Sequence, residues 1–249
     1  MTGRIGQIWR HPIKAHGREA LETVELTKGQ TMPWDRTWAV AHERSTADGS
    51  NWVSCGHFSR GAKIPELQAI GAKLDLDTFE VELTYPGKPG ICFNPDTAPE
   101  RFLNWINSLM TSDRAESVRL VRAAQRGMTD TPYPSVSLLN LASHRAVEQR
   151  LGRKLDPERW RGNFVLEGLA PWEEFEWVGK RLKIGSVELE VEEPIGRCQA
   201  TSVNTSTGLR ELDMVAFLKD NWDHTDFGVY ATVQETGTIK IGDELEVLS

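Results

Sequence analysis

Several features that mark common protein classes are absent or scarce in these 249 residues. No apolar run approaches the ~20 residues that a transmembrane helix needs, and the start, MTGRIGQIWRHPIK, lacks the apolar core of a signal peptide. We therefore expect a cytoplasmic protein without membrane association. The three cysteines are odd in number, far apart and without Cys-x-x-Cys spacing, which favours reduced thiols over a disulfide framework.

Positive charge is also in the minority. The chain has 29 Lys and Arg against 36 Asp and Glu, a net charge of −7. Such a surface repels nucleic acid as a whole, so we expect no nucleic-acid binding, and an anionic ligand would need a local basic pocket. Glycine-rich dinucleotide, P-loop and His-Glu-x-x-His patterns are missing, so no motif supports a nucleotide-binding or zinc-protease function.

Short strand patterns dominate what is present. Phe79–Thr84 and Val187–Glu192 alternate with period two, and β-α-β alternation is lacking. Helical spacing occurs only at about residues 97–110, 143–151 and 212–221. We predict a mainly β fold with a few helices (α+β), made of two β-barrel-like halves, 1–112 and 113–249. The strand patterns in residues 229–248, separated by turns, predict a β-meander.

The stretch RCQATSVNTSTG places Cys198 directly after Arg197. A guanidinium beside a thiol favours the thiolate, which is a nucleophile or a soft metal ligand. A small buried cysteine that packs as an apolar residue is the alternative, and these residues leave both open. His224 and Asp226 could form an acid–base pair or half of a metal site. A third metal ligand at recognisable spacing is missing, so a hydrogen-bonded turn explains the two residues better.

Basic residues outside the helices are a second candidate group. They are Lys14, Arg36, Arg159, Arg161 and Arg197. Arginine forks and lysine charges commonly bind phosphate. Arg159 and Arg161 stand two apart, so their side chains would share one side of an extended segment. For each residue alone a solvated surface position is the commoner role, and only the fold can bring them to one site.

Several sequence blocks, in this order, are similar to a known family. The first half carries IWRHPIKA, WDRTWAV and AKIPELQAI; the second carries LLNLASHRAVEQRLG, RWRGNFVLEG, PWEEFEWVG, GRCQATSVNTSTG, HTDFGVYATV and GTIKIGDELEV. Together they resemble MOSC-domain proteins with an N-terminal MOSC β-barrel module, relatives of the mitochondrial amidoxime-reducing component and of bacterial 6-hydroxylaminopurine-reducing proteins. The resemblance extends over nearly the whole chain and implies a MOSC N-terminal β-barrel domain followed by a MOSC β-barrel.

The resemblance also implies a cofactor, molybdenum-molybdopterin, with Cys198 as its metal ligand and as the catalytic residue. Lys14 and Arg36 are implied to bind the phosphate end of the cofactor. Further implied cofactor contacts are Arg161, Asn163, Gly196, Arg197 and Tyr230. The implied activity is reduction of N-hydroxylated small molecules. A four-cysteine ferredoxin-like segment is missing, so electrons are expected from a separate donor protein.

Three positions depart from the family pattern. Ala15 follows the lysine where the family often has serine, and Asn204 and Thr205 replace a usual Asp-Pro. Such changes leave open a non-catalytic carrier of the cofactor, or of sulfur as a persulfide on Cys198. A cysteine hydrolase that uses Cys198 with His224 is a weaker alternative.

Overall fold

A computed structural model describes residues 3–110 and 115–248. Within them the chain forms fifteen β-strands and three α-helices, which confirms the prediction of a mainly β fold. The strands are β1 (Arg4–Arg10), β2 (Glu19–Leu21), β3 (Thr23–Leu26), β4 (Trp38–His42), β5 (Gly71–Leu74), β6 (Val81–Tyr85), β7 (Lys88–Phe93), β8 (Ser117–Arg122), β9 (Val136–Asn140), β10 (Phe164–Glu167), β11 (Arg181–Ile184), β12 (Val187–Gly196), β13 (Asp226–Glu235), β14 (Gly237–Lys240) and β15 (Leu245–Leu248). The helices are α1 (Pro99–Asn107), α2 (Leu141–Leu151) and α3 (Met214–Trp222).

The largest sheet has eight strands in the order β15-β11-β12-β13-β9-β10-β1-β2 and curls into half a barrel. The pair β9 and β10 is parallel, and the other pairs are antiparallel. Smaller sheets pair β3 with β14, β4 with β8, and the central strand β6 with both β5 and β7. Strands from the first 26 residues therefore pair with strands from the second half of the chain.

Buried apolar side chains of the described residues form four clusters, and the two largest explain why the alternating strands are stable. Under the largest sheet, Ile5, Leu138 and Val229 belong to one cluster of buried side chains. A second cluster lies between β4, the β5–β7 sheet and α1, where Phe93 and Phe102 stack with ring centroids 5.3 Å apart. Alternate residues of an amphipathic strand point to one such core, and burial of apolar area supplies most of the stabilisation.

Helix α2 has the end signals that its sequence predicts. The Asn140 side chain accepts a hydrogen bond of 2.8 Å from the Ala142 N–H at the N-terminus. At the C-terminus Gly152 adopts the left-handed conformation, with φ 76°, as a glycine readily does. The capped helix follows directly on β9, which carries one wall of the site described below.

The predicted β-meander at the end of the chain is wrong. The strands exist, but β13 pairs with β12 and β9, β14 with β3, and β15 with β11. Turn signals between strand patterns specify a change of direction, whereas pairing partners depend on which other edges are free in the folded molecule.

The predicted boundary between the two halves, at residues 112 and 113, lies outside the described residues and stays a prediction. No helix in residues 3–110 or 115–248 is long and apolar enough to cross a membrane.

Candidate functional site

Two loops lock together and bring Lys14 and Arg36 to one place. The Lys14 N–H donates to the Trp38 carbonyl at 2.7 Å, and the Arg36 N–H donates to the His11 carbonyl at 2.6 Å. The carboxylate of Asp35 in turn accepts the His11 N–H at 2.7 Å. Arg36 has a left-handed backbone, φ 54°, which turns its side chain away from the strand direction. Two residues that are 22 positions apart thus share one pocket wall.

The Lys14 ammonium lies between two oxygen acceptors. It donates to the Met128 carbonyl at 2.7 Å and to the Asp130 carboxylate at 2.5 Å. Burial alone would raise the pKa of Asp130, but Lys14, Arg36 and Arg161 hold that pKa below its usual value. Asp130 is therefore ionised and partly neutralises this group of cations.

Arg36 is tied to the same group. Its guanidinium forms an ion pair with Asp35 and donates to the Arg161 carbonyl at 3.0 Å. Burial opposes its charge, but the carboxylates of Asp35 and Asp130 outweigh burial and raise the pKa of Arg36 above its ordinary value. The cation is fixed in both charge and position.

Arg161 has an unsatisfied donor. It follows a 3-10 helix, Pro157–Trp160, and its φ of 51° is again left-handed. One terminal nitrogen, Nη2, donates to the Gly17 carbonyl at 3.2 Å, but the other, Nη1, is buried without a partner among the described residues. Burial and the nearby charges of Arg36 and Arg18 lower the pKa of Arg161 to about 9. A buried donor beside like charges favours an anion at this point.

Arg159 does not share that role. The segment is a 3-10 helix rather than extended, so the condition for the predicted shared side is not met, although Arg159 and Arg161 both line the pocket. Arg159 instead donates to the Thr201 carbonyl at 3.0 Å and to the Glu211 carboxylate at 2.6 Å. It lines the pocket, and two of its nitrogens are bound to the protein, whereas the third, Nε, is buried without a partner among the described residues.

Cys198 is exposed at the end of β12, which overturns the alternative of a small buried cysteine. A 3-10 helix, Gln199–Ser202, follows it. The Thr201 N–H and hydroxyl both donate to the Cys198 carbonyl, at 3.1 and 2.9 Å, and fix the turn that presents the thiol.

Arg197 supports that turn from behind. It donates from Nη1 to the Trp160 carbonyl and from Nε to the Phe227 carbonyl, each at 2.8 Å. Its guanidinium also lies within 5.8 Å of the stacked rings of Trp160 and Phe227. Burial lowers the pKa of Arg197 to about 10, so it stays protonated at neutral pH. Arg197 thus supplies a permanent charge and a fixed backbone beside the thiol.

The predicted site residues meet in one open pocket that encloses about 890 Å³, its mouth included. Lys14, Arg36, Arg161, Gly196, Arg197, Cys198 and Tyr230 all line it. Burial, and then the charge of Asp130, raise the pKa of Tyr230 to about 12, which keeps its hydroxyl protonated. In the part of the chain that the structure describes, no cluster of three or more His, Cys, Asp or Glu side chains could hold a metal ion by itself.

Asn163 is not brought to the pocket wall. Its Oδ1 accepts hydrogen bonds from the Ser137 N–H and hydroxyl at 3.1 and 2.9 Å, and its Nδ2 donates to the Trp9 carbonyl at 3.3 Å. Ser137 does line the pocket, so Asn163 stands one residue behind the wall.

His224 also lies away from the pocket lining. Its ring packs edge-on against Trp172 and Phe175, both at 5.2 Å, and its Nδ1 accepts the Asp226 N–H at 3.2 Å. This arrangement matches the hydrogen-bonded turn that explains the His224 motif better than an acid–base pair does.

The positions that depart from the family pattern have local structural tasks. Ala15 lines the pocket with a left-handed backbone, φ 64°. Asn204 accepts the N–H groups of Ser206 and Thr207 at 2.9 and 3.0 Å, and Thr205 donates to Asp156 at 2.9 Å. Asn204 and Thr205 therefore hold the loop after the cysteine.

Sequence reasoning missed several wall residues. Asp130, Cys55, Arg60, Gln68 and Ser137 all line the pocket. Gln68 lies in the AKIPELQAI block, which suggested no role for it, and the other four positions belong to no quoted block, so only the fold brings them together.

Two family models match the chain in sequence order. The MOSC N-terminal beta barrel domain matches residues 2–123, and the MOSC domain matches residues 127–246. The chain belongs to the MOSC-domain family. Its order of domains is the one that the sequence blocks imply, and the site described above lies between residues of both matched segments.

Relatives of this MOSC protein have two kinds of name. Mitochondrial amidoxime reducing component 2 of Bos taurus is 21% identical, over 97% of this chain and 82% of that protein. Molybdenum cofactor sulfurase 2 of Culex quinquefasciatus is 31% identical, over 91% of this chain and 34% of that protein. The solved structure of the YuaD protein of Bacillus subtilis covers 99% of this chain and 96% of its own, with a TM-score of 0.47 and 12% identity.

Proposed function

We propose that this protein binds molybdenum-molybdopterin in the pocket and reduces N-hydroxylated compounds, with electrons from a separate donor protein in the cytoplasm. The observation that carries the proposal is the buried, unpartnered Nη1 of Arg161 in the same pocket as the exposed thiol of Cys198. The unpartnered guanidinium nitrogen favours binding of an anion, and the thiol can bind a soft metal. Similarity to a protein named molybdenum cofactor sulfurase supports this cofactor, and similarity to a protein named amidoxime reducing component supports a reductase activity.

The charge of the wall fits an anionic cofactor. Six cationic side chains and one carboxylate line the pocket: Lys14, Arg36, Arg60, Arg159, Arg161, Arg197 and Asp130. This excess of positive charge occurs in a protein of net charge −7. A cleft with one sign of charge concentrates ligands of the opposite sign. A phosphate could accept from Arg161 Nη1 and from the third, unused donor of the Lys14 ammonium.

The donor set also fits a metal that arrives with ligands of its own. Cys198 is the sole thiol among the cofactor contacts proposed here, and no protein cluster of three or more ligands exists within the described residues. One thiolate is enough if the cofactor supplies the other ligands. Bound cofactor would supply the two-electron chemistry that removes oxygen from an N–O bond.

The protein's own residues would bind and orient. Lys14, Arg36 and Arg161 would hold the phosphate end, and the turn after Cys198 would fix the thiolate toward the pocket. Tyr230, protonated up to a pKa of about 12, can donate a hydrogen bond to a ligand oxygen at neutral pH. Preorganised donors of this kind need no rearrangement when a ligand binds.

Expression in a host that makes the cofactor tests the proposal. We expect molybdenum and pterin in near-equal amount in the wild-type protein, a lower but measurable molybdenum content in Cys198→Ala, and turnover of an N-hydroxyamidine by the wild type with a chemical or protein reductant. Wild-type protein that stays free of molybdenum in that host would contradict the proposal.

A non-catalytic carrier of the cofactor, or of sulfur as a persulfide on Cys198, is the second candidate. The exposure of Cys198 and the similarity to a molybdenum cofactor sulfurase favour it. Metal bound without turnover of any N-hydroxylated substrate would support the carrier. A mass increase of one sulfur atom on Cys198, after incubation with a cysteine desulfurase as sulfur donor, would support the persulfide form.

A further inference from the structure

One part of the pocket wall comes from residues 55–68, which the cofactor contacts discussed above do not include. Cys55, Arg60, Gly61, Ala62 and Gln68 all line the pocket. Arg60 donates from Nη1 to the Cys55 sulfur at 3.3 Å, so these two side chains support each other. We call residues 55–68 the first-half wall.

The first-half wall is fixed relative to the cysteine turn. Arg210 donates from Nη2 to the Ala62 carbonyl at 3.0 Å and from Nη1 to the Gln199 carbonyl at 2.9 Å. One guanidinium thereby connects the wall to the residue that follows Cys198. A group on this wall keeps a constant position relative to the thiol.

Gln68 is the unusual member of the wall. It lies in a 3-10 helix, Pro65–Ala69, and is only 1% exposed, yet it is one of the residues that line the pocket. Its Oε1 is buried and has no hydrogen-bond partner among the described residues. A buried acceptor without a donor is costly, and such groups normally have a partner in the functional state. The amide nitrogen lies on the side of Gly61, where an added Cβ would come within 2.5 Å of it.

We propose that Gln68 Oε1 accepts a hydrogen bond from an N–H group of the molecule that occupies the pocket. The inference rests on the proposed function. The charged groups of the wall are mostly donors, so a neutral acceptor there selects the donor-bearing edge of a ligand. In an N-hydroxyamidine the N–O bond must face the metal, which leaves the amino group for Gln68. A pterin ring also carries N–H donors, so substrate and cofactor share this chemistry.

The variant Gln68→Met tests the inference, because it keeps the length of the side chain and removes the acceptor. Gln30→Met is the matched control, since Gln30 is exposed and does not line this pocket. Two measurements separate the sources of the N–H. The first is molybdenum and pterin content, with the rate of pterin release on dilution. The second is KM for an N-hydroxyamidine and for its N,N-dimethyl counterpart.

If the substrate donates the N–H, Gln68→Met raises KM for the free amine about 10-fold, leaves KM for the dimethyl compound unchanged and leaves cofactor content unchanged. If the pterin donates it, the variant releases pterin about 10-fold faster than the wild type. Either result supports the inference. Content, release rate and both KM values equal to those of Gln30→Met would overturn it.

A second variant guards against misfolding of the first. Gly61→Ala places a methyl group against the Gln68 amide without removing it, and Gly61 has no left-handed backbone that would strain an alanine. Gly61→Ala should change the same quantity as Gln68→Met, either KM for the N-hydroxyamidine or the rate of pterin release. If a folded Gly61→Ala protein leaves both quantities at their wild-type values, the inference is contradicted. Wild-type protein without molybdenum would overturn both this inference and the proposed function, whereas loaded wild-type and indifferent variants would overturn this inference alone.

Discussion

The pocket has two sides that are built in opposite ways. On the anion side (Lys14, Arg36 and Arg161) the cations are fixed by hydrogen bonds to loops, and one buried donor is left over. On the thiol side (Arg197 and Cys198) the arginine donates hydrogen bonds to two backbone carbonyls, while the sulfur is exposed. An anion site must be arranged before binding because burial removes water from the donors, whereas a metal ligand needs access.

The largest effect is expected on the thiol side. Cys198→Ala should lower turnover by more than about 100-fold, because the metal loses its protein ligand. Its free energy of unfolding should change by less than about 0.5 kcal/mol, because the side chain is exposed. Turnover per chain and urea unfolding measure the two quantities. Cys92→Ala, at another exposed free cysteine, is the control and should leave both unchanged.

On the anion side, Arg161→Met should weaken cofactor retention by about 10-fold or more, since charged hydrogen bonds to phosphate are among the stronger ones. The melting temperature of the cofactor-free protein should stay the same or rise. The reason is that the substitution removes a buried charge whose Nη1 lacks a partner in the described chain. A lowered melting temperature with normal retention would assign Arg161 to the scaffold.

Arg159→Met tests whether Arg159 and Arg161 have different roles, since Arg159 lies two residues from Arg161 and lines the same pocket. It should lower the free energy of unfolding by about 2 kcal/mol, because a buried guanidinium leaves the Glu211 carboxylate and the Thr201 carbonyl. Cofactor retention should fall less than in Arg161→Met. The opposite ranking of the two variants would contradict the division of roles.

The pKa of Arg161 predicts a pH dependence of anion binding. Burial and the charges of Arg36 and Arg18 lower the pKa of Arg161 to about 9 from the ordinary 12.5, so this arginine holds its positive charge less firmly than an ordinary one as the pH rises. Sulfate keeps a constant charge in this range and serves as the probe. Its affinity, measured by calorimetry, should fall as the pH rises through about 9, and Arg161→Met should remove the step. A wild-type affinity independent of pH between 7 and 10 would be the contrary result.

The smallest effect concerns acid stability. His16 is buried, its Nδ1 lies 2.7 Å from the Lys14 carbonyl, and burial lowers its pKa to about 4 from 6.5. As the pH drops below about 6.5, His16 becomes protonated in the unfolded chain but stays neutral in the folded chain. The free energy of unfolding therefore falls as the pH drops from 6.5 toward 4. His16→Phe, beside the ring of Phe102, should flatten the pH dependence of unfolding in that window. An unchanged slope would exclude His16 as a cause.

Strand positions could be predicted from the sequence more fully than strand pairing could. Alternation in Val187–Glu192 predicts a strand, and β12 covers it. The pairing of β14 with β3, more than 200 residues apart in the chain, leaves no trace in local periodicity. The meander was the wrong expectation for this reason.

The residues of the site also differ in how far they could be predicted from the sequence. The Arg197-Cys198 pair could be recognised in the sequence because the two residues are adjacent. In the structure the Cys198 thiol is exposed. Lys14, Arg36 and Arg161 meet through left-handed turns and loop contacts, and a family resemblance rather than spacing suggested their convergence. Asp130 and Gln68 were not predicted, because a single polar residue in a loop or a short 3-10 helix has no sequence pattern that reveals its place in a pocket. Asn163, which the resemblance also suggested, lies behind the wall.

Molybdenum K-edge X-ray absorption on cofactor-loaded protein tests the central claim most directly. We expect one more sulfur ligand per molybdenum in the wild type than in Cys198→Ser, with the ligands from the cofactor the same in both. An equal number of sulfur ligands in the two proteins would show that Cys198 does not bind the metal and would contradict the account.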